Sequence, residues 1–125
     1  DSKQSRGLGD VYKRQNYDYE GNNLRHTLEI SAVAIIVEKL FKVEDYSGII
    51  RLAPRINNSR IILTDNNFQN KNANNLIDIS YFYLGASYVM EDMPNEGKEA
   101  LLFVKKRAKD KIFLNDINNY LLQAQ

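Results

Sequence analysis

The side chains that could carry chemistry are few, and their spacing does not assemble a catalytic or metal site. His26 is the only histidine, and its neighbours Arg25, Thr27 and Glu29 do not have the spacing of metal ligands. At the start of a helix, this histidine is predicted to lie on the surface. Cysteine is absent, which excludes disulfides, thiolate nucleophiles and cysteine metal ligands.

Carboxylates are the remaining candidates for acid–base or metal chemistry. The series that begins at Asp65 resembles a calcium loop, but its sixth position carries Asn70 rather than glycine and its twelfth carries Leu76 rather than glutamate. The pairs at 44–45 and 91–92 fall in predicted turns, where solvated side chains are the simpler interpretation. The sequence therefore predicts a protein that is not an enzyme, with no cofactor and no metal.

The densest run of charge is basic and lies at residues 105–111. On a helix, Lys105, Lys106, Arg107 and Lys109 occupy one outward arc near the negative C-terminal end. A solvated face is the simpler interpretation, and a site for an anion, a nucleic acid or an acidic peptide is the alternative. Nucleic acid is not the expected partner, because no aromatic side chain is interleaved to stack bases and the net charge is only +1.

Length and composition indicate one globular domain. The chain has 125 residues, of which 43% are hydrophobic and 26% charged, which is enough for a modest core. The longest apolar run, residues 30–37, is shorter than the roughly 20 residues that span a bilayer, so no membrane span is predicted. The sequence indicates no particular compartment, and the cytoplasm is only the default.

Residues 1–15 are set apart from the rest of the chain. The stretch from Gly7 to Gln15 resembles a peptide translated from sequencing-adapter DNA. The alternative is a polar, flexible native N-terminus. The segment is therefore predicted to be a non-native or disordered tail, and residues 16–125 to be a single helical domain from a longer chain.

Hydrophobic periodicity in the first half predicts a lead-in loop over 16–23 and then a helix that begins between 23 and 27. The apolar positions at helical spacing in this helix are Leu28, Ala32, Ile35, Ile36, Leu40 and Val43. A second helix is predicted over 46–53, where Pro54 ends it. Residues 60–64 could extend a helix or form a strand paired with 49–52, and a polar loop is predicted over 65–75.

The second half gives clearer helices. The first runs from Leu76 to about Met90, with Asn74 or Asn75 as its N-cap and with one apolar stripe formed by Ile77, Tyr81, Leu84 and Tyr88. Pro94 starts the next helix, which is predicted to bury Gly97, Ala100, Leu101, Val104 and Ala108. A last helix begins between 111 and 116 and presents Ile117, Tyr120, Leu121 and Ala124. The predicted fold class is all-α, and the alternative is α+β with a short hairpin near residues 49–64.

Two of these helices carry a motif. Tyr81-x2-Leu84-Gly85-x2-Tyr88 resembles the first part of the tetratricopeptide signature W-x2-L-G-x2-Y, and Ala100-x3-Val104 resembles the second part, A-x3-F. Physically, Gly85 removes a side chain so that the next helix can approach. The turn between the two parts is longer than in the family.

An upstream stretch repeats the spacing of the motif. Val33-x2-Ile36-Val37-x2-Leu40 has the same intervals, and an Asp45-Tyr46 turn follows it. The pattern departs from the family at its end, where Lys109-Asp110 replaces the terminal proline.

The resemblance implies antiparallel helical hairpins of the tetratricopeptide type, which act as a non-catalytic module or scaffold that binds another protein or a peptide. The first helices of the hairpins would line a concave groove, and its predicted contact residues are Ser80, Tyr83, Ser87 and Asn118. Two hairpins and a lone helix would leave faces uncovered, which predicts self-association. The alternatives are an anion- or nucleic-acid-binding domain that uses the 105–111 run, and a non-catalytic fragment of a larger enzyme.

Overall fold

The computed structural model describes residues 8–65 and 71–125, and the side chains of residues 24–61 and 72–125. The described ranges contain six helices: α1 (Leu8–Lys42), α2 (Tyr46–Ile50), α3 (Ala53–Asp65), α4 (Lys71–Met90), α5 (Pro94–Arg107) and α6 (Lys111–Gln123). They contain no strand, so the predicted all-α class is confirmed. The alternative with a strand hairpin near 49–64 is wrong, since residues 60–64 belong to α3.

The helices form two antiparallel hairpins and one further helix. In the first hairpin α1 packs against α2 and α3, and in the second α4 packs against α5. The helix α4 also contacts α1, α2, α3 and α6, so it lies at the centre of the molecule. Its sequence fits this position, because the predicted stripe residues Ile77, Tyr81 and Leu84 are buried and so are Ser80 and Phe82 on other sides.

The two hairpins turn in the same way, 48 positions apart in the chain. Glu44 and Asp92 both adopt a left-handed conformation with φ of 61°. Just after them, the amide of Asp45 donates to the carbonyl of Leu40 at 2.9 Å, and the amide of Met93 donates to the carbonyl of Tyr88 at 2.8 Å. Residues 48 positions apart are called equivalent below. The upstream and downstream stretches with the motif spacing are aligned by this same offset.

Two glycines allow α4 and α5 to approach closely. A Cβ atom at Gly85 would lie 2.7 Å from Leu101 Cγ, and one at Gly97 would lie 2.7 Å from Val89 Cγ2. Both distances are far shorter than ordinary van der Waals contact, so a larger residue would force the helices to shift. The predicted role of Gly85 is therefore confirmed.

An aromatic cluster joins α1, α2 and α6 to α4. The ring of Phe41 lies 5.0 Å from that of Tyr83 and 6.4 Å from that of Tyr120, measured between centroids. The ring of Phe82 lies 5.2 Å from that of Phe113. The cluster consists of Phe41 on α1, Tyr46 on α2, Phe82 and Tyr83 on α4, and Phe113 and Tyr120 on α6. These edge and tilted contacts attach α1 and α6 to the central helix.

Two predicted loops are helical in the parts that the structure describes. The helix α1 begins at Leu8, so residues 16–23 are not a loop, and the helix includes part of the 1–15 segment. A glycine inside a helix costs only about 1 kcal/mol, and each added residue of a formed helix contributes a hydrogen bond, so Gly21 does not end it. The non-native origin of residues 1–15 stays a prediction. Asp65 belongs to α3, and residues 71–75 belong to α4, which places the predicted caps Asn74 and Asn75 inside that helix. The rest of the predicted loop, residues 66–70, lies outside the described residues.

The buried face of α1 is not the predicted one. Ile30, Val33, Ala34 and Val37 are buried. The predicted positions Leu28, Ala32, Ile35, Ile36 and Val43 are exposed, and only Leu40 packs partly against the core. Because nearly every residue from 30 to 37 is apolar, periodicity could not select a side. The side that faces α4 combines small and β-branched residues, which allow a close approach.

The helix boundaries after α1 follow local chemistry. The predicted helix over 46–53 is interrupted after Ile50, and Pro54 lies in the first turn of α3, where its missing amide donor costs nothing. Asp45 caps α2, since its Oδ1 accepts the amide of Gly48 at 3.0 Å. The predicted start of α5 at Pro94 is confirmed, and α6 begins at Lys111, at the early limit of the predicted range 111–116.

The residues of α5 and α6 that were predicted to face the core are buried or half-buried. Gly97, Ala100, Leu101 and Val104 are buried, whereas Ala108 is half-buried. In the last segment, Ile117 and Ala124 are buried and Tyr120 and Leu121 are half-buried.

None of the helices in the described part of the chain is both long and apolar enough to cross a membrane.

Candidate functional site

A cleft lies at the joint between the two hairpins and is called the junction cleft here. It has a volume of about 400 Å³ and opens where α3, α4 and α5 meet. Its lining residues are Asn57, Arg60 and Ile61 from α3, Tyr81, Leu84 and Tyr88 from α4, and Glu96, Glu99, Ala100 and Phe103 from α5.

A polar network fixes the α3 wall of the cleft. The Nε of Arg60 donates to the hydroxyl oxygen of Tyr81 at 2.7 Å, and that hydroxyl donates to Oδ1 of Asn57. The guanidinium carbon of Arg60 also lies 5.5 Å from the ring centroid of Phe103 and 5.8 Å from that of Tyr81. This cation–π geometry holds the positive charge of Arg60 in one place between α4 and α5.

The α5 wall of the cleft is acidic. Glu96 and Glu99 are exposed there, and Tyr88 stands half-buried beside them. Burial raises the pKa of Tyr88, and the charges of Glu96 and Glu99 raise it further. The pKa of Tyr81 is also raised, chiefly by burial and slightly by Glu99, although Arg60 opposes the change. The cleft thus has a fixed cation on one wall and two carboxylates on the other.

This arrangement can bind and orient a ligand, and its lining residues include no nucleophile hydrogen-bonded to a base. Among the described residues, no group of three or more His, Asp or Glu side chains could hold a metal ion.

The predicted groove residues do not form a groove. Ser80 and Ser87 are fully buried, so their predicted exposure is wrong, and the Ser87 hydroxyl donates to the carbonyl of Tyr83 at 2.7 Å. Tyr83 is half-buried in the aromatic cluster, where it packs against Phe41 of the first hairpin. Asn118 is half-exposed on α6. The central position of α4 explains this burial, since α4 contacts all five other helices of the described chain.

The basic run is divided by an ion pair. Arg107 Nε lies 2.5 Å from Oδ1 of Asp78, and the guanidinium carbon lies 5.1 Å from the ring centroid of Phe103. Burial raises the pKa of Asp78, and the hydrogen bond and charge of Arg107 only partly offset this effect. Lys105, Lys106 and Lys109 remain exposed. Arg107 therefore joins α5 to α4 instead of extending the basic surface.

His26 is buried, so the predicted surface position is wrong. It precedes Ile30 by one helical turn and lies on the same buried face of α1. Its Nδ1 is 3.8 Å from Oε1 of Glu29, which is too far for a hydrogen bond.

The sequence predicts Tyr81 and Tyr88 as apolar stripe residues, and no motif in it indicates Arg60, Glu96 or Glu99 as parts of a site. Their juxtaposition depends on how α3 packs, and the residues around Arg60 were ambiguous between helix and strand. Tyr88 and Glu99 lie on consecutive helices. The sequence could have indicated that they are close in space only if the geometry of the turn between α4 and α5 had been known.

Comparisons of this chain with protein-family models, with curated proteins and with solved structures found no match in any of the three.

Proposed function

We propose that this chain is a non-catalytic protein-interaction module of stacked, tetratricopeptide-like helical hairpins, which holds a segment of a partner protein in the junction cleft. The observation that carries the proposal is the cleft itself, where aromatic rings, one fixed cation and two carboxylates meet at the joint of the hairpins. The groove residues predicted from the sequence do not support the proposal, since Ser80 and Ser87 are buried.

The charges of the cleft favour a partner segment that carries lysine or arginine beside an apolar residue. A long cationic side chain can lay its methylene stem against the rings of Tyr88 and Phe103 and bring its charge to Glu96 and Glu99. Arg60 on the opposite wall would attract a carbonyl or carboxylate of the same segment. The two walls would thus select both the composition and the direction of the bound segment.

The alternative of an anion site on the basic run gains no support from its surroundings. A depression beside Arg107 is lined by Lys109 and also by two carboxylates, Asp78 and Asp110, which offset the positive charge. Arg107 already pairs with Asp78. For this reason we do not extend the proposal to nucleic acids or other anions.

Screening a library of random 12-residue peptides against the immobilised protein tests the proposal. We expect the retained peptides to be enriched in lysine or arginine next to an apolar residue. The double variant Glu96→Gln, Glu99→Gln should weaken their binding by at least about tenfold, because a charge-assisted hydrogen bond is worth roughly 1.5–3 kcal/mol.

The matched control is Glu91→Gln, which removes an exposed carboxylate in the turn before α5, outside the residues that line the cleft. It should leave peptide binding unchanged. Enrichment of acidic peptides, or equal losses in the control and the double variant, would contradict the proposal.

A further inference from the structure

An uncovered apolar surface runs along α1 on the side away from α4. Leu24 and Leu28 are each 60% exposed, Ile35 is 56%, Ile36 is 45% and Val43 is 72% exposed. Together with the exposed Ala32, these residues lie on one side of the helix and are called the outer face of α1. The face extends for about 28 Å, given the rise of an α-helix. Such a concentration of apolar side chains is unusual on a free surface.

The equivalent residues of α4 indicate that the outer face of α1 is a helix-packing surface. Leu28, Ile35 and Ile36 are equivalent to Leu76, Tyr83 and Leu84. In α4 these positions are at least partly covered: Tyr83 packs against Phe41 of the first hairpin, and Leu84 is only 2% exposed. The outer face of α1 therefore corresponds to a surface that is packed against other helices in α4, but no helix of the described chain covers it in α1.

We infer that the outer face of α1 is covered by the outer face of a second copy of the chain, with the two α1 helices antiparallel. A symmetric dimer needs no other component, because each copy supplies the same apolar face. Among the described residues, no helix of the same chain covers it.

The position of Lys39 distinguishes this dimer from a further hairpin stacked in the manner of the first. Lys39 is equivalent to Ser87, which is fully buried, so a stacked hairpin would bury the ammonium group. Lys39 forms no ion pair with any described residue, and burial of an unpaired charge costs several kcal/mol. In an antiparallel pair centred near residue 34, Lys39 instead lies at the level of Glu29 of the second copy. Glu29 is half-exposed and holds Arg55 only at 3.5 Å.

The size of the face sets the expected strength of the dimer. Two such faces together would bury on the order of 1,000 Å², at the lower limit for a specific interface. Association should therefore be reversible, with a dissociation constant on the order of 10 µM.

Sedimentation equilibrium of the full chain between about 1 and 200 µM tests the inference. We expect a monomer–dimer equilibrium in this range, and we expect Ile35→Glu to weaken it at least tenfold while circular dichroism shows unchanged helix content. The matched control is Ile112→Glu, because Ile112 is 72% exposed on α6, away from the face. A chain that stays monomeric throughout, or a dimer weakened equally by both variants, would overturn the inference and leave the face to a different partner.

A charge exchange tests the antiparallel arrangement separately. Lys39→Glu alone should weaken the dimer, because it places two carboxylates at one level of the interface. Adding Glu29→Lys should restore much of the loss. If the double variant dimerises no better than Lys39→Glu, the antiparallel register is wrong.

Discussion

Gly85 determines how closely α4 and α5 can approach. Its position in the motif was sufficient to predict the contact, because only a residue without a side chain lets a second helix come so near. The structure adds the neighbour, Leu101, which is fully buried against it. Among the roles of single residues, the close helix contact at Gly85 is thus the one that can be predicted most directly from the sequence.

Gly85→Ala should destabilise the protein by about 1–3 kcal/mol in the free energy of unfolding, because the new Cβ overlaps Leu101. The sign is informative, since helix propensity alone would make alanine more stable than glycine by about 1 kcal/mol. Urea denaturation measures the change.

Asn119→Ala, at an exposed position of α6, is the control for Gly85→Ala and should change stability by less than about 0.5 kcal/mol. A stabilised Gly85→Ala variant would show that the α4–α5 contact is looser than described.

The burial of His26, Ser80 and Ser87 could not be predicted from residue type alone. Histidine and serine are less often fully buried than apolar residues, so residue type favours a surface position for both. Here the tertiary packing of α1 and α4 decides otherwise, since His26 and Ser80 both face the interior. The polarity of a side chain is a weak guide to its exposure in a helix that packs against several others.

The beginnings of the helices are fixed by side chains that the sequence displays. The Oδ2 of Asp110 accepts the amide of Phe113 at 2.9 Å and so satisfies one of the free donors at the start of α6. Pro94 gives α5 its start in a different way, by a backbone dihedral already set for a helix.

Asp110→Ala should lower the free energy of unfolding by about 1 kcal/mol, because it removes the N-cap of α6. Asp110→Asn should retain most of the stability, since the amide oxygen can still accept the hydrogen bond. Thermal denaturation followed by circular dichroism distinguishes the two. Asp116→Ala, at an exposed position further along α6, is the control, and an equal loss from it would argue against a capping role.

The position and buried face of a helix could be predicted where only one side of the helix is apolar. They could not be predicted where all of its sides are apolar. The second half of the chain has a single stripe in each helix, and α5 and α6 were placed correctly. In α1, the run of apolar residues from Ile30 to Val37 allows several buried faces, and packing against α4 chose among them. The outer face of α1 is the surface that results.

For the molecule as a whole, alkaline pH is the condition to which the packing should be sensitive. Burial raises the pKa values of Tyr81, Tyr83, Tyr88 and Tyr120 above the ordinary value of 10.0. Their neutral forms are therefore favoured in the folded chain. The resulting stability is fully present below pH 10 and is lost as the pH rises through the folded-state pKa values.

We expect the urea midpoint to be constant between about pH 8 and 9.5 and to fall above pH 10. Tyr88→Phe keeps the ring and removes one ionising group, so its midpoint should fall less steeply. Absorbance at about 295 nm, which reports tyrosinate, should show ionisation that coincides with unfolding. A midpoint that is independent of pH up to about 11 would contradict this prediction.

The all-α class of the whole molecule could be predicted from sequence, but the junction cleft could not. Its walls come from three helices, and Arg60, Tyr81 and Phe103 are separated by about twenty residues each. Their meeting depends on the angle at which one hairpin lies on the next. Periodicity within each helix contains no information about that angle.

The aromatic cluster makes the assembly of this protein directly visible by optical spectroscopy. The chain has no tryptophan, and the rings of Phe41, Tyr83 and Tyr120 bring together α1, α4 and α6. Near-ultraviolet circular dichroism arises from rings held in fixed, asymmetric surroundings and disappears when side-chain packing is lost. A signal near 275 nm would therefore follow the docking of the outer helices on the central one without any attached label.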